Sequence, residues 1–321
     1  MGVIREIKKS LDRLYKPSLF EEISFTHFQS NVIDESAFVE LRPKNGEIFA
    51  VDGGNNTIYL SPTMGVFFIR VAGVSKNQSQ VHSWILSVTQ DTTSSWNITM
   101  EQKEGSFNFS YPRTFTQSDI GLHDSRVACV KIAEIIRRLV ELSFAESLPG
   151  IVLLDGSLCP GSDIEKPYLK KLQQKNIIGF CKTTTVRTSS YKPISLVLMK
   201  KVPPSMNAWV YPQALYSPEH KVFMSFVKLR PHASTCFRVD MFQSEHTIDI
   251  LSQVQSISND SVVIGYPYYL VKADELARVG NDEMQFVKMH FYQQFDSLTQ
   301  NQLKEMESTL NIHDILDSLK Y

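Results

Sequence analysis

Ile48-Phe49-Ala50-Val51-Asp52-Gly53-Gly54 and Ile151-Val152-Leu153-Leu154-Asp155-Gly156-Ser157 are the two stretches that decide how this sequence folds. Each is an unbroken apolar run that closes on an Asp-Gly step, the pattern of a buried strand ended by a turn. If the two strands are neighbours in one sheet, Asp52 and Asp155 converge at its edge, where two ionised carboxylates need a cation between them. Asp-Gly is also among the commonest turn dipeptides, so either step alone is equally well explained as a plain strand end.

The sequence following the first stretch has the texture of strands. Ile48 to Val51, Thr57 to Leu60, Val66 to Val74 and Val81 to Val88 are predicted strands, with turns at Gly53-Gly54, Ser61-Pro62 and Lys76-Asn77, giving an antiparallel meander. The polar and aromatic stretch 90–112 fits either an insertion or a continuation of those strands. Asp124 or Ser125 caps a helix reaching about Ala145, whose broad apolar stripe, from Val127 through Ile132, Ile136 and Val140, should pack on the sheet. Pro149-Gly150 ends it and the strand to Asp155 follows. A helix over 163–174 and a strand over 177–181 come next, an order that implies parallel crossovers. Further strands are predicted at 194–199, 222–229, 237–242 and 262–264, with helices from about Ala273 to the end. Ile4, Ile7, Leu11 and Leu14 stand at helical spacing near the start.

A meander, a helix and then parallel strands is the order of a ribonuclease H-like sheet, in which the first strand is central and the fourth lies beside it. The expected fold is therefore α/β, a ribonuclease H-like mixed sheet flanked by helices, with a helical N-terminal arm and a helical C-terminus. The chain is expected to form a single domain over 1–321. Its parts are an arm over 1–40, a core over 47–183, a strand-rich insertion over 184–260, and a core strand with C-terminal helices over 261–321.

Composition narrows the function classes. The 321 residues are 42% hydrophobic, enough for a sizeable core, and 33 basic against 34 acidic residues give no polycation signature. Any nucleic-acid contact must then use local basic surface or metal. Cys129, Cys159, Cys181 and Cys236 form no Cys-x-x-Cys pair, which argues against structural zinc or a disulfide framework and for a reducing cytoplasm. No apolar run approaches membrane-spanning length, residues 1–9 lack a signal-peptide core, and Glu6 spoils a myristoylation motif.

The helix before Asp155 should offer a third carboxylate. Glu134, Glu141 and Glu146 are the candidates; Glu134, among apolar neighbours, is the first choice, and Glu141, seven residues on and on the same face, is the reserve. If both glutamates instead face solvent, Arg137 and Arg138 are their natural partners. A fourth acid, Asp274, stands where the last strand gives way to a helix, a position that also suits a simple N-cap. Clustered carboxylates of this kind suit Mn²⁺ or Mg²⁺, which prefer oxygen ligands, and two such ions support phosphodiester cleavage. Lys182, at the end of the next parallel strand, would neutralise charge on a phosphate oxygen, although a single lysine is more often an ordinary solvated one. Arg187, Lys192, Lys200, Lys201, Lys228, Arg230 and Arg238 would line a nucleic-acid path, with Tyr191, Trp209 and Tyr211 as stacking surfaces.

Four elements together resemble the NurA nucleases of archaea and some bacteria: Ala50-Val51-Asp52-Gly53-Gly54, Leu153-Leu154-Asp155-Gly156-Ser157-Leu158, Gly179-Phe180-Cys181-Lys182, and Gly265-Tyr266-Pro267 through Ala273-Asp274. The Leu-Asp-Gly-Ser-Leu element is the most specific, and Gly54 stands where the family commonly has serine. The resemblance implies a ribonuclease H-like fold, a homodimer, and Mn²⁺-dependent single-strand endonuclease and 5′ to 3′ exonuclease activity on DNA, both single strands and duplex ends. It implies a HerA-type hexameric ATPase translocase as partner in double-strand break end resection, and Asp52, Glu134, Asp155 and Asp274 as metal ligands.

Two other classes compete. An actin-like ATPase or kinase would use Asp52-Gly53-Gly54-Asn55-Asn56-Thr57 as a phosphate-holding hairpin, but no duplicated half follows. A non-catalytic DNA-binding scaffold would leave the acids idle. A P-loop NTPase is disfavoured because Gly-x-x-x-x-Gly-Lys-[Ser/Thr] is absent.

Overall fold

The structure is a computed structural model that describes residues 5–6, 22–24, 31–121 and 125–318. Short strands β1 (Glu22–Ser24), β2 (Asn31–Val32) and β3 (Val39–Glu40) come first, with a 3-10 turn at Glu35–Ala37. Long strands β4 (Ile48–Leu60), β5 (Met64–Val74), β6 (Ser79–Gln90) and β7 (Trp96–Glu104) follow, then β8 (Thr114–Phe115) and helix α1 (Gln117–Ile120). Helix α2 (Ser125–Ser147) leads to β9 (Ile151–Asp155), a 3-10 turn at Asp163–Glu165, α3 (Lys166–Leu172) and β10 (Asn176–Cys181). Then come β11 (Arg187–Thr188), α4 (Ile194–Lys201), β12 (Trp209–Ser217), β13 (Val222–Lys228), β14 (Phe237–Met241) and α5 (Thr247–Ser256). The chain closes on α6 (Tyr268–Ala277), α7 (Asn281–Gln293) and α8 (Ser297–Ser318).

These elements fall into two compact units, each assembled from separated stretches: residues 1–48, 150–159 and 173–268 form one, and 49–149, 160–172 and 269–321 the other. In the first, the strand order is β3-β12-β13-β14-β10-β9. Its sheet is mixed: β9 and β10 are parallel, with Leu153 opposite Ile178 and Asp155 opposite Phe180, while β10 pairs β14 antiparallel. Parallel strands covered on both sides read as continuous apolar runs, as Ile151 to Leu154 and Ile177 to Phe180 do. Trp209, Leu215, Met224 and Phe226 from β12 and β13 share a core with Ile194 and Leu198 of α4.

The second unit is an antiparallel meander, β4-β5-β6-β7-β8. Helix α2 lies on β5 and β6 and buries Ile132, Ile136, Leu139 and Val140, the stripe expected of it. Another core in this unit joins Ile58, Tyr59, Val66 and Phe68 to Met284 and Leu303, which brings α7 and α8 against the strands. Among the described residues no helix is long and apolar enough to cross a membrane.

Several expectations need correction. Residues 52–57 do not turn: β4 continues through them for 13 residues, with Asp52, Gly53 and Gly54 opposite Ala72, Val71 and Arg70. Within the arm over 1–40, residues 5–6 are helical and the other described residues form short strands and a 3-10 turn, whereas Ile4, Ile7, Leu11 and Leu14 lie outside the described residues. Residues 194–201 are helical; Ile194, Leu196 and Leu198 alternate as in a strand, but Ile194, Val197 and Leu198 also share a helix face, and those three are buried. The expected strand 262–264 is a turn whose amides at Val262 and Val263 donate to the Asp260 carboxylate, leaving Val262 88% exposed. The undecided stretch 90–112 supplies β7, paired with β6.

Candidate metal centre

The acid on the first Asp-Gly step sits inside a strand. Asp52 is 6% exposed, and the Gly53 N–H donates to its Oδ1 at 2.8 Å. The glycines beside it are required by close approach: a Cβ on Gly53 would lie 2.5 Å from Glu141 Oε1, and one on Gly54 would lie 2.6 Å from the Ala277 carbonyl oxygen. Helix α2 therefore lays Glu141 against the strand at Asp52-Gly53, and α6 ends against it one residue further on.

Glu141, not Glu134, is the acid that α2 presents there. The Glu141 side chain is 4% exposed and accepts from Arg137 Nη1 and from Arg138 Nη1, the latter at 3.1 Å. Arg137 Nη1 also donates to the Gly53 carbonyl at 3.0 Å, which ties the helix to β4. Glu134 is 49% exposed and pairs with Lys131 at 3.4 Å. The two glutamates share a helical face, but only Glu141 is roofed by arginines and by the glycine strand, a difference that helical periodicity does not carry. Glu146 pairs with Lys171 at 3.8 Å. Asp274 lies within α6 rather than at its start, because the helix begins directly after Pro267, and it pairs with Arg278, just past the helix end, at 2.5 Å.

The second Asp-Gly step belongs to the other unit. Asp155 ends β9, and Lys182, just past β10, donates to its Oδ2 at 2.8 Å. The Tyr266 hydroxyl donates to Asp155 Oδ1 at 3.5 Å, and Lys182 Nζ stands 5.6 Å from the centre of the Tyr266 ring. Phe180 and Phe237 hold that ring edge-on, at 5.2 and 5.6 Å. Lys182, expected at this strand end as a phosphate partner, is paired with Asp155, and Tyr266 is a further partner. Burial pushes the Cys159 thiol up to about 11 and the Cys181 thiol up to about 12, the Asp240 charge adding to both, so neither offers a thiolate near neutral pH.

Other expected contacts are not available to a ligand. Trp209 and Tyr211 are buried against Phe38, and Lys192 and Arg238 are buried as well. The phosphate-holding hairpin at 52–57 does not exist, which removes the feature that favoured an actin-like kinase. Among the described residues no group of three or more His, Cys, Asp or Glu side chains is arranged to hold a metal ion. What the acids do have is oxygen donors and close cations: Lys182 on Asp155, and Arg137 with Arg138 on Glu141.

Comparison with known proteins decides the family. The NurA domain model matches residues 46–279, most of the chain. The chain belongs to the NurA family. That span includes Asp52, Glu141, Asp155, Lys182, Tyr266 and Asp274. Among solved structures it is similar to the NurA nuclease from Sulfolobus solfataricus, at 14% identity and a TM-score of 0.51, covering 92% of this chain and 95% of that one. A second NurA structure matches at 9% identity and a TM-score of 0.55 over 88% and 95% of the two chains. A NurA bound to dAMP and manganese matches at 8% identity and a TM-score of 0.51 over 78% and 88%. At these identities the likeness is one of fold. No curated protein sequence matches the chain.

One group beside the acids was missed from the sequence. Arg137 and Arg138 were expected as partners of solvent-facing glutamates, and they do pair with Glu141, four and three residues on, but with its side chain 4% exposed. The Tyr266 contact with Asp155 spans 111 positions and has no local signal.

Proposed function

We propose that this NurA-family protein is a metal-dependent deoxyribonuclease in which Asp52, Asp155 and Glu141 together hold Mn²⁺ or Mg²⁺ and Asp274 is an outer candidate. One observation carries the reading: the NurA domain match over residues 46–279 takes in Asp52, Glu141, Asp155 and Asp274, and Glu141 is laid against the strand at Asp52-Gly53. An antiparallel meander, then α2, then the parallel pair β9 and β10 supports a ribonuclease H-like arrangement.

The residues fit such a site. Their donors are all carboxylate oxygens, the set that Mn²⁺ and Mg²⁺ favour and Zn²⁺ sites rarely use alone. Glu141 and Asp155 now lean on arginines and a lysine that could release them to a divalent ion. Bound ions would supply Lewis acidity toward water and the scissile phosphate. Freed from Asp155, the Lys182 ammonium would donate to a non-bridging phosphate oxygen, where negative charge builds in the transition state. The Tyr266 hydroxyl, fixed by Phe180 and Phe237, orients the Asp155 carboxylate. Arg137 and Arg138 hold Glu141 in one rotamer and position it toward Asp52.

We further assign single-strand endonuclease and 5′ to 3′ exonuclease activity, a homodimeric state and a HerA-type translocase as partner in break end resection in the cytoplasm; family membership supports these assignments. The deciding experiment incubates labelled single-stranded and duplex DNA with Mn²⁺, with and without ATP, using wild type and Asp52→Ala. Metal-dependent cleavage lost in the variant is the expected result. ATP turnover without cleavage, or binding alone, would overturn it.

A further inference from the structure

We propose that the turn following Asp155 is held by a buried clamp, in which Ser157 and the Leu158 amide hang from the Asp240 carboxylate, and that this clamp fixes where Asp155 presents its oxygens. The inference rests on Asp155 being a metal ligand, and it gives the Asp-Gly-Ser-Leu element a function residue by residue.

Asp155 is the last residue of β9, and the backbone must leave the sheet immediately after it. Gly156 makes the exit at φ +93, a conformation that side-chain-bearing residues rarely adopt, while its N–H donates to the Phe180 carbonyl at 3.0 Å. The chain then folds back over β10 at Gly179. A Cβ on Gly179 would meet the Gly156 carbonyl oxygen at 2.6 Å and the Leu158 side chain at 2.9 Å, so only glycine lets the turn lie that close. Asp240, opposite Gly179 in the β10 and β14 register, projects from that same face. Its Oδ2 accepts from Ser157 Oγ at 2.7 Å and from the Leu158 N–H at 3.2 Å. Arg238 completes the set, donating from Nε to Oδ1 at 3.0 Å and from Nη2 to Oδ2 at 2.9 Å. Ser157 Oγ also accepts the Cys159 N–H at 3.0 Å, which closes the turn on itself.

Asp240 is wholly buried and Arg238 nearly so. A buried ion pair is a weak source of stability, because well-packed apolar residues often serve as well or better. Its value is geometric: four donors converge on one carboxylate and leave the Ser157 to Leu158 backbone a single placement. Asp155 stands two residues before Ser157, between this clamp and the Lys182 and Tyr266 contacts on its oxygens. Ser157 and Asp240 are thus positioning residues that act through Asp155.

The test compares wild type, Ser157→Ala and Ser157→Thr, with Asp240→Asn as a harsher variant. Mn²⁺ binding is titrated without DNA by electron paramagnetic resonance of the free ion, amide hydrogen exchange is followed across 155–159, and cleavage of single-stranded DNA is measured against Mn²⁺ concentration. Ser157→Ala should weaken Mn²⁺ binding by about 10-fold, the scale of losing a supporting contact behind a ligand. It should speed exchange at Leu158 and leave the denaturation midpoint unchanged, and Ser157→Thr, which restores the hydroxyl, should recover both readouts. Wild-type exchange and wild-type Mn²⁺ affinity in Ser157→Ala would overturn the clamp, as would losses that track global stability and are not rescued by threonine. Wild-type protein that neither binds Mn²⁺ nor cleaves would overturn the nuclease reading instead, and the exchange comparison would still decide the clamp.

Discussion

The two Asp-Gly steps look alike in sequence and are built in opposite ways. At Asp155-Gly156 the glycine is needed for its backbone: φ is +93 and nothing lies within 4 Å of where a Cβ would be. At Asp52-Gly53-Gly54 the glycines are needed for their missing side chains, since the strand runs straight on while Glu141 and the end of α6 press against it. One step terminates a strand and the other thins it. A dipeptide therefore marks an acid on a constrained stretch of backbone without saying which neighbour will reach it. The first step recruits a helix, α2, whereas the second recruits the next strand end and its Lys182.

The largest effect should fall equally on both steps. Asp52→Asn and Asp155→Asn keep shape and remove charge, so each should abolish Mn²⁺-dependent cleavage while circular dichroism stays that of wild type; full activity in either would separate the two acids and break their equivalence. Next, the helix partner of the first step is sharpened by setting Glu141→Gln against Glu134→Gln. The former should lower the cleavage rate by about 100-fold or more, as loss of a ligand or of its immediate support does, and the latter should leave it unchanged; the reverse result would return the assignment to Glu134. Lys182→Ala probes the second step. It should slow turnover by about 100-fold with DNA affinity little altered, and an unchanged rate would remove Lys182 from the chemistry.

Which of these features were legible beforehand follows from how local their causes are. Helix α2 and strands β9 and β10 were readable because burial on one stripe, or on both faces of a strand, imposes a composition over consecutive residues. The place of Lys182 at the end of the neighbouring parallel strand needed no more than the order of the strands, whereas its pairing with Asp155 was not anticipated. The full length of β4 was hidden because a Gly-Gly pair is the ordinary mark of a turn, and the clash that makes it a strand feature comes from Glu141, some 88 positions away. The preference for Glu134 over Glu141 could not see the packing for a related reason: seven residues apart on one helix, they differ only in what the strand lays over them. Residues 194–201 satisfied both periodicities at once, and the packing of α4 on β12 and β13 settled which one.

The smallest expected effects test the comparison most directly, because they separate backbone from space at the two glycines. Gly156→Ala puts a methyl group into open room but forces φ +93 on it, a strain of about 1–2 kcal/mol. Asn tolerates positive φ better than Ala does, so Gly156→Asn should be the milder of the two in chemical denaturation. At Gly54 the order should invert. Gly54→Ala drives a Cβ to 2.6 Å from the Ala277 carbonyl, a backbone atom that cannot rotate away, and overpacking of this kind costs about 1–3 kcal/mol. Gly54→Asn adds still more volume there and should be worse than Ala. If Asn were instead milder than Ala at both positions, Gly54 would be governed by its dihedral angles as Gly156 is, and the strand through Asp52 would have to turn after all.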